Sequence, residues 1–490
     1  MTDRTPLARF EEHARRSPDR IAVRGPDETL SYRELDLLAG RFATVLESSG
    51  LRPGDRVGLR PTRGARLAVA VLGCAKAGLP YVPLDPAYPS ERTALIADRA
   101  NLTLTVGDQD FDGMTLLPPQ PSPADRSPTP GLAYVIFTSG STGVPKGVPV
   151  TTASLTALFA ATDRLFDFGP QDVWPLMHSY NFDFSVWEMW GAWRSGAELA
   201  VPDQPTLRSP ARTVHWLAET GATVLNQVPT VFGYLVAALE EQRTILPTVR
   251  HVIFGGEEFA SAPLRRWRGL GHRAAVTNMY GITEATVHAT FRRLAPGEEP
   301  PTHPTPIGWP LPGIAHRVVD PDLRPVRPGH SGQLLLSGAQ LLTGYLGDEH
   351  LTAERLVQLP DTGDLRWYTT GDLVTEDADG ELHYLGRADR QVQLRGYRIE
   401  LGEVEAVLLR TGMVRAAAVS VAATPRGDQQ LVAHVVPAAA ASTSAELRRA
   451  LAALLPEHMV PSRFVQVAEL ATTASGKLDR SPTAPHHPLI

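Results

Sequence analysis

Between Thr138 and Gly147 the chain reads Thr-Ser-Gly-Ser-Thr-Gly-Val-Pro-Lys-Gly, with three glycines and four hydroxyl residues in ten positions. Glycines let backbone N–H groups approach an anion, hydroxyls add donors and a lysine adds charge, so this is a phosphate-binding composition. It is not a Walker A loop, because Lys146 is followed by Gly147 rather than by Ser or Thr. Taken alone, the composition also fits a plain surface loop. A second observation narrows it. Only three of the 47 Lys and Arg residues are lysines, namely Lys76, Lys146 and Lys477. A GC-rich genome accounts for the scarcity. Two of the survivors nevertheless sit in glycine-containing turns, Lys146 here and Lys477 in Ser475-Gly476-Lys477-Leu478-Asp479-Arg480. A compact ammonium on a flexible stem does what a planar guanidinium cannot.

The elements that must position these groups are legible from local patterns. Ser31-Tyr32-Arg33-Glu34 reads as a capping box, and Leu35, Leu38, Ala39, Phe42 and Leu46 follow at helical spacing. Ala133 to Phe137 and His251 to Phe254 are short apolar runs ending at glycine-containing turns, which predicts buried strands. Residues 118 to 131, with six prolines, read as a loop leading into the strand before the glycine-rich turn. In the last hundred residues, Val414 to Val421 and Leu431 to Val436 read as strands, and Pro437 to Ser442 as an alanine-rich connector. Thr443-Ser444-Ala445-Glu446 caps a helix carrying Leu447, Leu451 and Leu454, which Pro456 ends. Alternating helices and strands imply an α/β fold class, with the last hundred residues as a separate small α+β unit.

Composition removes several classes of function. A net charge of −6 gives no reason to expect nucleic acid or an anionic membrane as partner. One cysteine, Cys74, leaves no intramolecular disulfide and no cysteine metal cluster, and the 15 histidines show no ligand spacing. Neither a signal peptide nor an apolar run of about 18 residues is evident, so the expectation is a cytoplasmic location with no membrane span.

The string from Leu132 to Gly147 resembles the signature of the adenylate-forming superfamily, in particular the adenylation domains of nonribosomal peptide synthetases. Further motifs follow in family order: LSYREL (Leu30 to Leu35), KAGLPYVPLD (Lys76 to Asp85), FDFSVWE (Phe182 to Glu188), NMYGITE (Asn278 to Glu284) and YTTGDL (Tyr368 to Leu373). GRADRQVQLRGYRIELGEVE (Gly386 to Glu405), LPEHMVP (Leu455 to Pro461) and the Ser475 to Arg480 segment complete the series. Thr369, Gln393 and His458 depart from the usual residues without removing an expected catalytic group.

The resemblance implies that a carboxylate attacks the α-phosphate of ATP, giving an acyl-AMP and pyrophosphate, and that a carrier-protein phosphopantetheine thiol then takes the acyl group. Fixed cations and N–H donors should dominate such a reaction, because its transition states gather negative charge on oxygen. By the resemblance, Lys477 bridges substrate carboxylate and α-phosphate. Thr138, Ser139, Gly140, Ser141, Thr142, Gly143 and Lys146 hold the outer phosphates. Glu284 is the Mg2+ ligand, with Thr283 near the α-phosphate. His178 is a gate beside the α-phosphate. Tyr280 stacks on or flanks adenine, Gly256, Asn278 and Gly281 belong to the ATP site, and Asp372 and Arg387 hold the ribose. The implied adenylate-forming fold is a large N-terminal multi-subdomain α/β region, 1–388, and a small mobile C-terminal α+β domain, 389–490, with a hinge at Asp389 whose rotation would exchange Lys477 for the 391–396 hairpin. Lys76 is given only a structural role.

The same resemblance outlines an acid pocket of Asp183, Phe184, Trp187, Asn226, Ile253, Gly255, Met279, Val287, His288 and Lys477. Asp183 would pair with a substrate ammonium, which marks an amino acid. The string is similar to the threonine-activating pattern. Phe184, Trp187 and Met279 limit the side chain to a short one, while Asn226 and His288 can bond a β-hydroxyl. The implied substrate is L-threonine, with Ser, allo-Thr or 2-aminobutyrate as other small candidates and an acyl-CoA synthetase as the other activity. The carrier would be supplied in trans or by a neighbouring stretch of a longer chain. Some relatives also need a small MbtH-like helper protein.

Overall fold

Local signals act where they stand. Ser31 caps the helix Tyr32–Ser48, with Glu34 reaching back to the Ser31 N–H, and Thr443 and Glu446 form the same reciprocal cap on Ser444–Ala452. That second helix ends at Ala452, so Leu454 and Pro456 lie past its last turn. The predicted strands are present as Leu132–Thr138, His251–Phe254, Val414–Ala423 and Gln429–Pro437. A computed structural model describes residues 5–52, 54–111, 131–140, 143–259, 261–299, 301, 303–389, 391–424, 428–438, 442–471 and the backbone of 487–488. Most of the proline-rich stretch, the middle of the alanine-rich connector, Ser141, Thr142 and Lys477 lie outside the described residues.

The chain forms two compact units, one of Met1–Asp85, Arg99–Ile136 and Gly147–Ala388, the other of Pro86–Asp98, Phe137–Lys146 and Asp389–Ile490. The chain enters the second unit for the last time at Asp389. The division differs from a simple cut at residue 388, because two short earlier segments, one of them the glycine-rich loop, belong with the C-terminal residues. Side-chain chemistry gives the reason. Arg92 forms an ion pair with the fully buried Glu403, and Ser139 and Gly140 bond to residues 398–403.

The first unit carries three sheets. In the one that bears the acid pocket, Val224–Gln227, His251–Phe254 and Ala275–Asn278 run parallel, joined by the helices Pro229–Gln242 and Ser261–Gly269. Parallel neighbours need such crossovers, and ligands in α/β sheets sit beyond the carboxyl ends of the strands. The sheet continues through Thr290–Arg293 and Thr305–Pro310 to Leu382–Arg387, Arg366–Glu376 and Ser331–Gly338. A second sheet joins Leu104–Gly107, Val57–Arg60, Tyr81–Pro83, Leu132–Thr138 and Lys146–Thr151 in that order, and a third pairs Ile21–Arg24 with Glu198–Ala200. Lys76 bonds Glu11 at 2.7 Å and Asp36 at 2.9 Å, tying three helices together. In the second unit a hairpin, Gln391–Leu394 with Tyr397–Glu400, precedes the helix Leu401–Arg410 and a small mixed sheet.

The helix Phe184–Ser195 is buried along its whole length, which is why its sequence shows no polar face. Gly191 lets it close on Trp174, since a Cβ there would lie 2.7 Å from the indole ring. Gly191→Ala should therefore lower stability by about 1–2 kcal/mol in denaturant melts, overpacking outweighing the helix propensity gained. Gly40→Ala, where an added Cβ meets nothing within 4 Å, should raise it by about 1 kcal/mol.

Candidate active site

Four groups of predicted residues lie in the first unit. The first is set by strand register. Asp372 and Arg387 are direct partners across antiparallel strands, and Arg387 Nη1 donates to Asp372 Oδ1 at 2.8 Å. The Tyr280 hydroxyl donates to the other carboxylate oxygen. Burial beside Asp372 pushes the Tyr280 phenol well above its ordinary range, so it remains a donor. A carboxylate oxygen carries two lone pairs, so a doubly bonded Asp372 retains acceptor capacity for a pair of hydroxyls. Asn278 is committed elsewhere, its Nδ2 donating to Pro306 O at 2.9 Å.

The second group surrounds Glu284, fully buried in the short turn Thr283–Ala285. Its Oε1 accepts from the Tyr345 hydroxyl at 2.8 Å, and Tyr345 meets the Tyr368 hydroxyl at 2.7 Å. A carboxylate and the Thr283 hydroxyl are oxygen donors suited to a hard cation such as Mg2+. Among the described residues Glu284 belongs to no cluster of three ligating side chains. That fits an ion held by one carboxylate together with phosphate oxygens rather than by a protein cage.

The third group is His178, whose Nδ1 lies 2.9 Å from Oε1 of the buried Glu188. The Met177 and His178 N–H groups also donate to that carboxylate. An ionised carboxylate accepts only, so Nδ1 carries the proton and Nε2 faces away from the pair. Phe184 stacks on the imidazole at 4.2 Å, fixing its plane.

The acid pocket is the fourth. Asn226, Ile253 and Thr277 are register partners on adjacent parallel strands and so share one face. Gly255 and Met279, two positions further on, lie on the same face. A Cβ on Gly255 would sit 3.1 Å from Met279 O, 3.4 Å from the Phe184 ring and 3.5 Å from His288 Cε1, so the glycine marks where these walls converge. Asp183 precedes the first turn of the helix Phe184–Ser195 without capping it, in the positive field of the helix N-terminus. Trp187 Nε1 donates to Asn226 Oδ1 at 3.0 Å. This orients the amide and leaves Asn226 Nδ2 buried with no hydrogen-bond partner. His288 stands edge-on to Phe184 and Trp187, at 5.2 and 5.0 Å, and both its ring nitrogens are buried and unpartnered. Thr277 Oγ1 is a further unpartnered atom on this face.

Glycine has a structural task at Gly281, where a Cβ would fall 1.9 Å from Val287 O, and at Gly256, whose φ is 81°. Val287 itself has φ 68° and Thr286 φ 57°, left-handed conformations that β-branched residues rarely adopt.

The glycine-rich loop lies in the second unit. Ser139 Oγ donates to Arg398 O at 2.9 Å and accepts from Glu400 N at 3.1 Å. Gly140 N donates to Glu403 Oε2 at 3.1 Å. Gly143, with φ 80°, brings the loop against Ala406. Thr138 Oγ1 is buried and unpartnered, and Lys146 is buried. Burial raises the Glu400 carboxyl above its usual range, against the pull of Arg398 and Lys146. His458 stacks on Tyr397 at 3.7 Å.

Glu188, Tyr345, Thr277 and Gln340 were not singled out by motif reading. Glu188 closes a quoted motif, and Thr277 lies two residues before Met279 on the same strand face, so both carried a signal. Tyr345 and Gln340 carried none, because their partners are far away in sequence.

The description "AMP-binding enzyme" matches residues 10–346, and "AMP-binding enzyme C-terminal domain" matches 403–477. The chain is 41% identical to the syringomycin synthase SyrB1 of Pseudomonas syringae pv. syringae, over 96% of this chain and 80% of that protein. It is also 41% identical to a dimodular nonribosomal peptide synthase of Bacillus subtilis, but spans only 21% of that protein's length. Holo-PA1221, a solved nonribosomal peptide synthetase containing adenylation and PCP domains and bound to a vinylsulfonamide inhibitor, superposes with TM-score 0.83 at 28% identity. The match covers 98% of this chain and 84% of that one.

Burial holds the His288 imidazole neutral, its pKa lowered from 6.5 to about 3. The unfolded chain takes up this proton near 6.5 and the folded chain only near 3, so acid favours unfolding throughout that window. Between about pH 7 and about pH 5 this residue should cost the wild type roughly 2 kcal/mol of stability. Denaturant melts at the two pH values should show that this part of the acid sensitivity is missing from His288→Asn.

Proposed function

This chain belongs to the AMP-binding enzyme family, as an adenylate-forming ligase of the nonribosomal peptide synthetase adenylation type, and we propose that the acid it activates is L-threonine. The observation that carries this reading is the set of unpartnered atoms in the acid pocket, Asn226 Nδ2 and the two His288 nitrogens. A buried polar atom without a partner costs about 1–3 kcal/mol, and a β-hydroxyl can accept from Asn226 Nδ2 and pair with one of the two His288 nitrogens. Asp183 would hold the α-ammonium and argues against a fatty or aryl acid. Phe184, Trp187 and Met279 bound the room beyond Cβ.

In the proposed reaction the threonine carboxylate attacks the α-phosphate of ATP, the bond to the leaving pyrophosphate breaks, and threonyl-AMP forms. Lys477 would neutralise the charge that grows between the reacting groups. The Thr138–Lys146 loop would receive the outer phosphates, Asp372 and Arg387 the ribose, and Tyr280 one face of adenine, with Gly256, Asn278 and Gly281 lining the nucleotide. His178, its plane and proton set by Glu188 and Phe184, would close the α-phosphate side. Glu284, with Thr283, would hold Mg2+, which when bound offsets phosphate charge. The acyl group would then pass to the phosphopantetheine thiol of a carrier protein, with Asp389 as the hinge between 1–388 and 389–490. The setting we propose is cytoplasmic secondary-metabolite biosynthesis, antibiotic production included, with an MbtH-like helper as an optional partner.

Amino-acid-dependent pyrophosphate exchange tests the substrate. Threonine should lead. Serine, short by one methyl, should follow within roughly 10–200-fold, and valine should be rejected by about 10⁴-fold, since it leaves the pocket's polar atoms unpaired. A preference for valine or 2-aminobutyrate over threonine sinks the reading, and the panel also ranks allo-threonine. Lys477→Ala should cut exchange by about 10²–10³-fold. Asp389→Pro should spare exchange and cripple transfer to the carrier; equal loss of both would refute the hinge.

A further inference from the structure

We infer that Gln340, a residue outside the acid pocket, is a positioning residue for substrate selection that acts by holding His288. The inference rests on the reading that His288 receives the substrate hydroxyl. His288 follows two β-branched residues in left-handed backbone, Thr286 at φ 57° and Val287 at φ 68°. Such backbone is strained and persists only where its surroundings over-determine it.

Gln340 supplies that determination. It is almost fully buried, and its Nε2 donates to His288 O at 2.8 Å and to Ala285 O at 3.2 Å, bracketing the strained pair on both sides. The Thr286 hydroxyl donates back to the Gln340 carbonyl at 2.5 Å. Within the turn, Thr286 N bonds Thr283 O at 3.1 Å and His288 N bonds Thr286 O at 2.9 Å. The amide orientation follows from chemistry, because the reverse would set Oε1 against two carbonyl oxygens. Gln340 follows the strand Ser331–Gly338, so this clasp reaches the turn from a distant part of the chain.

The consequence is selective. Phe184 and Trp187 confine the His288 ring edge-on but offer its nitrogens nothing. The backbone on either side of the ring therefore decides where those nitrogens point. Releasing the turn should misplace the hydroxyl contact while leaving the apolar walls in place, so threonine loses and its isostere valine does not.

The test is pyrophosphate exchange with threonine and valine on wild type, Gln340→Met, His288→Phe and the double variant. Gln340→Met should lower the threonine-to-valine ratio of kcat/KM about tenfold, the size of one lost hydrogen bond. In the His288→Phe background the same change should leave the ratio unmoved, because the group it positions is gone. An equal loss on both substrates, or an undiminished effect in the His288→Phe background, overturns the inference. Should Gln340→Met fail to fold, Thr286→Val removes the reciprocal bond at constant shape and must shift the ratio the same way; no shift overturns the inference too. The wild-type ranking alone decides whether threonine is the substrate, so the two ideas fail separately.

Discussion

The Trp187–Asn226 hydrogen bond is the interaction on which the acid pocket depends. It ties a helix that is buried on every side to the carboxyl end of a parallel strand, and it decides which end of the amide faces the substrate. The indole is itself locked, stacked on Phe159 and edge-on to Trp174. Those contacts are dry and aromatic, so they resist rotation without competing for hydrogen bonds. The polar selectivity of the pocket is thus set from behind by apolar packing.

The rest of the first unit shows the same division of labour. Asp372 is aimed by the register that pairs it with Arg387 and by the Tyr280 phenol. His178 is aimed by Glu188 and Phe184. Glu284 is held by a relay of two tyrosine hydroxyls. His178 and Glu284 are thus oriented by Glu188 and Tyr345, which meet no ligand in the proposed mechanism, whereas Asp372 and Asn226 are oriented by side chains that also line the site.

How much of this was legible in the sequence follows from the range of each interaction. The capping boxes at Ser31 and Thr443 span four residues and could be read directly. The strand His251–Phe254 declared itself by an apolar run before glycine. The chemistry-bearing motifs were legible because each packs several functional residues into a short string. What escaped was long-range. Tyr345 lies 61 residues from Glu284 and Gln340 lies 52 from His288, and no local pattern announces such pairs. The placement of the 137–146 loop with the C-terminal residues escaped for the same reason, since Glu403 reaches Gly140 across 263 positions.

The pairing of Asp372 with Arg387 also limits how this chain can vary in length. The two strands share a hairpin whose tip, near Asp377 to Gly380, closes on its own backbone hydrogen bonds. One residue inserted at the tip changes only a turn. One inserted between the tip and Asp372 must be absorbed locally, as the register already does between Leu373 and Val374, or it shifts alternate side chains to the opposite face and takes the carboxylate away from its arginine. Insertions and deletions in this hairpin should therefore be tolerated at its end and purged from its arms, a pattern of permitted drift written by strand geometry alone.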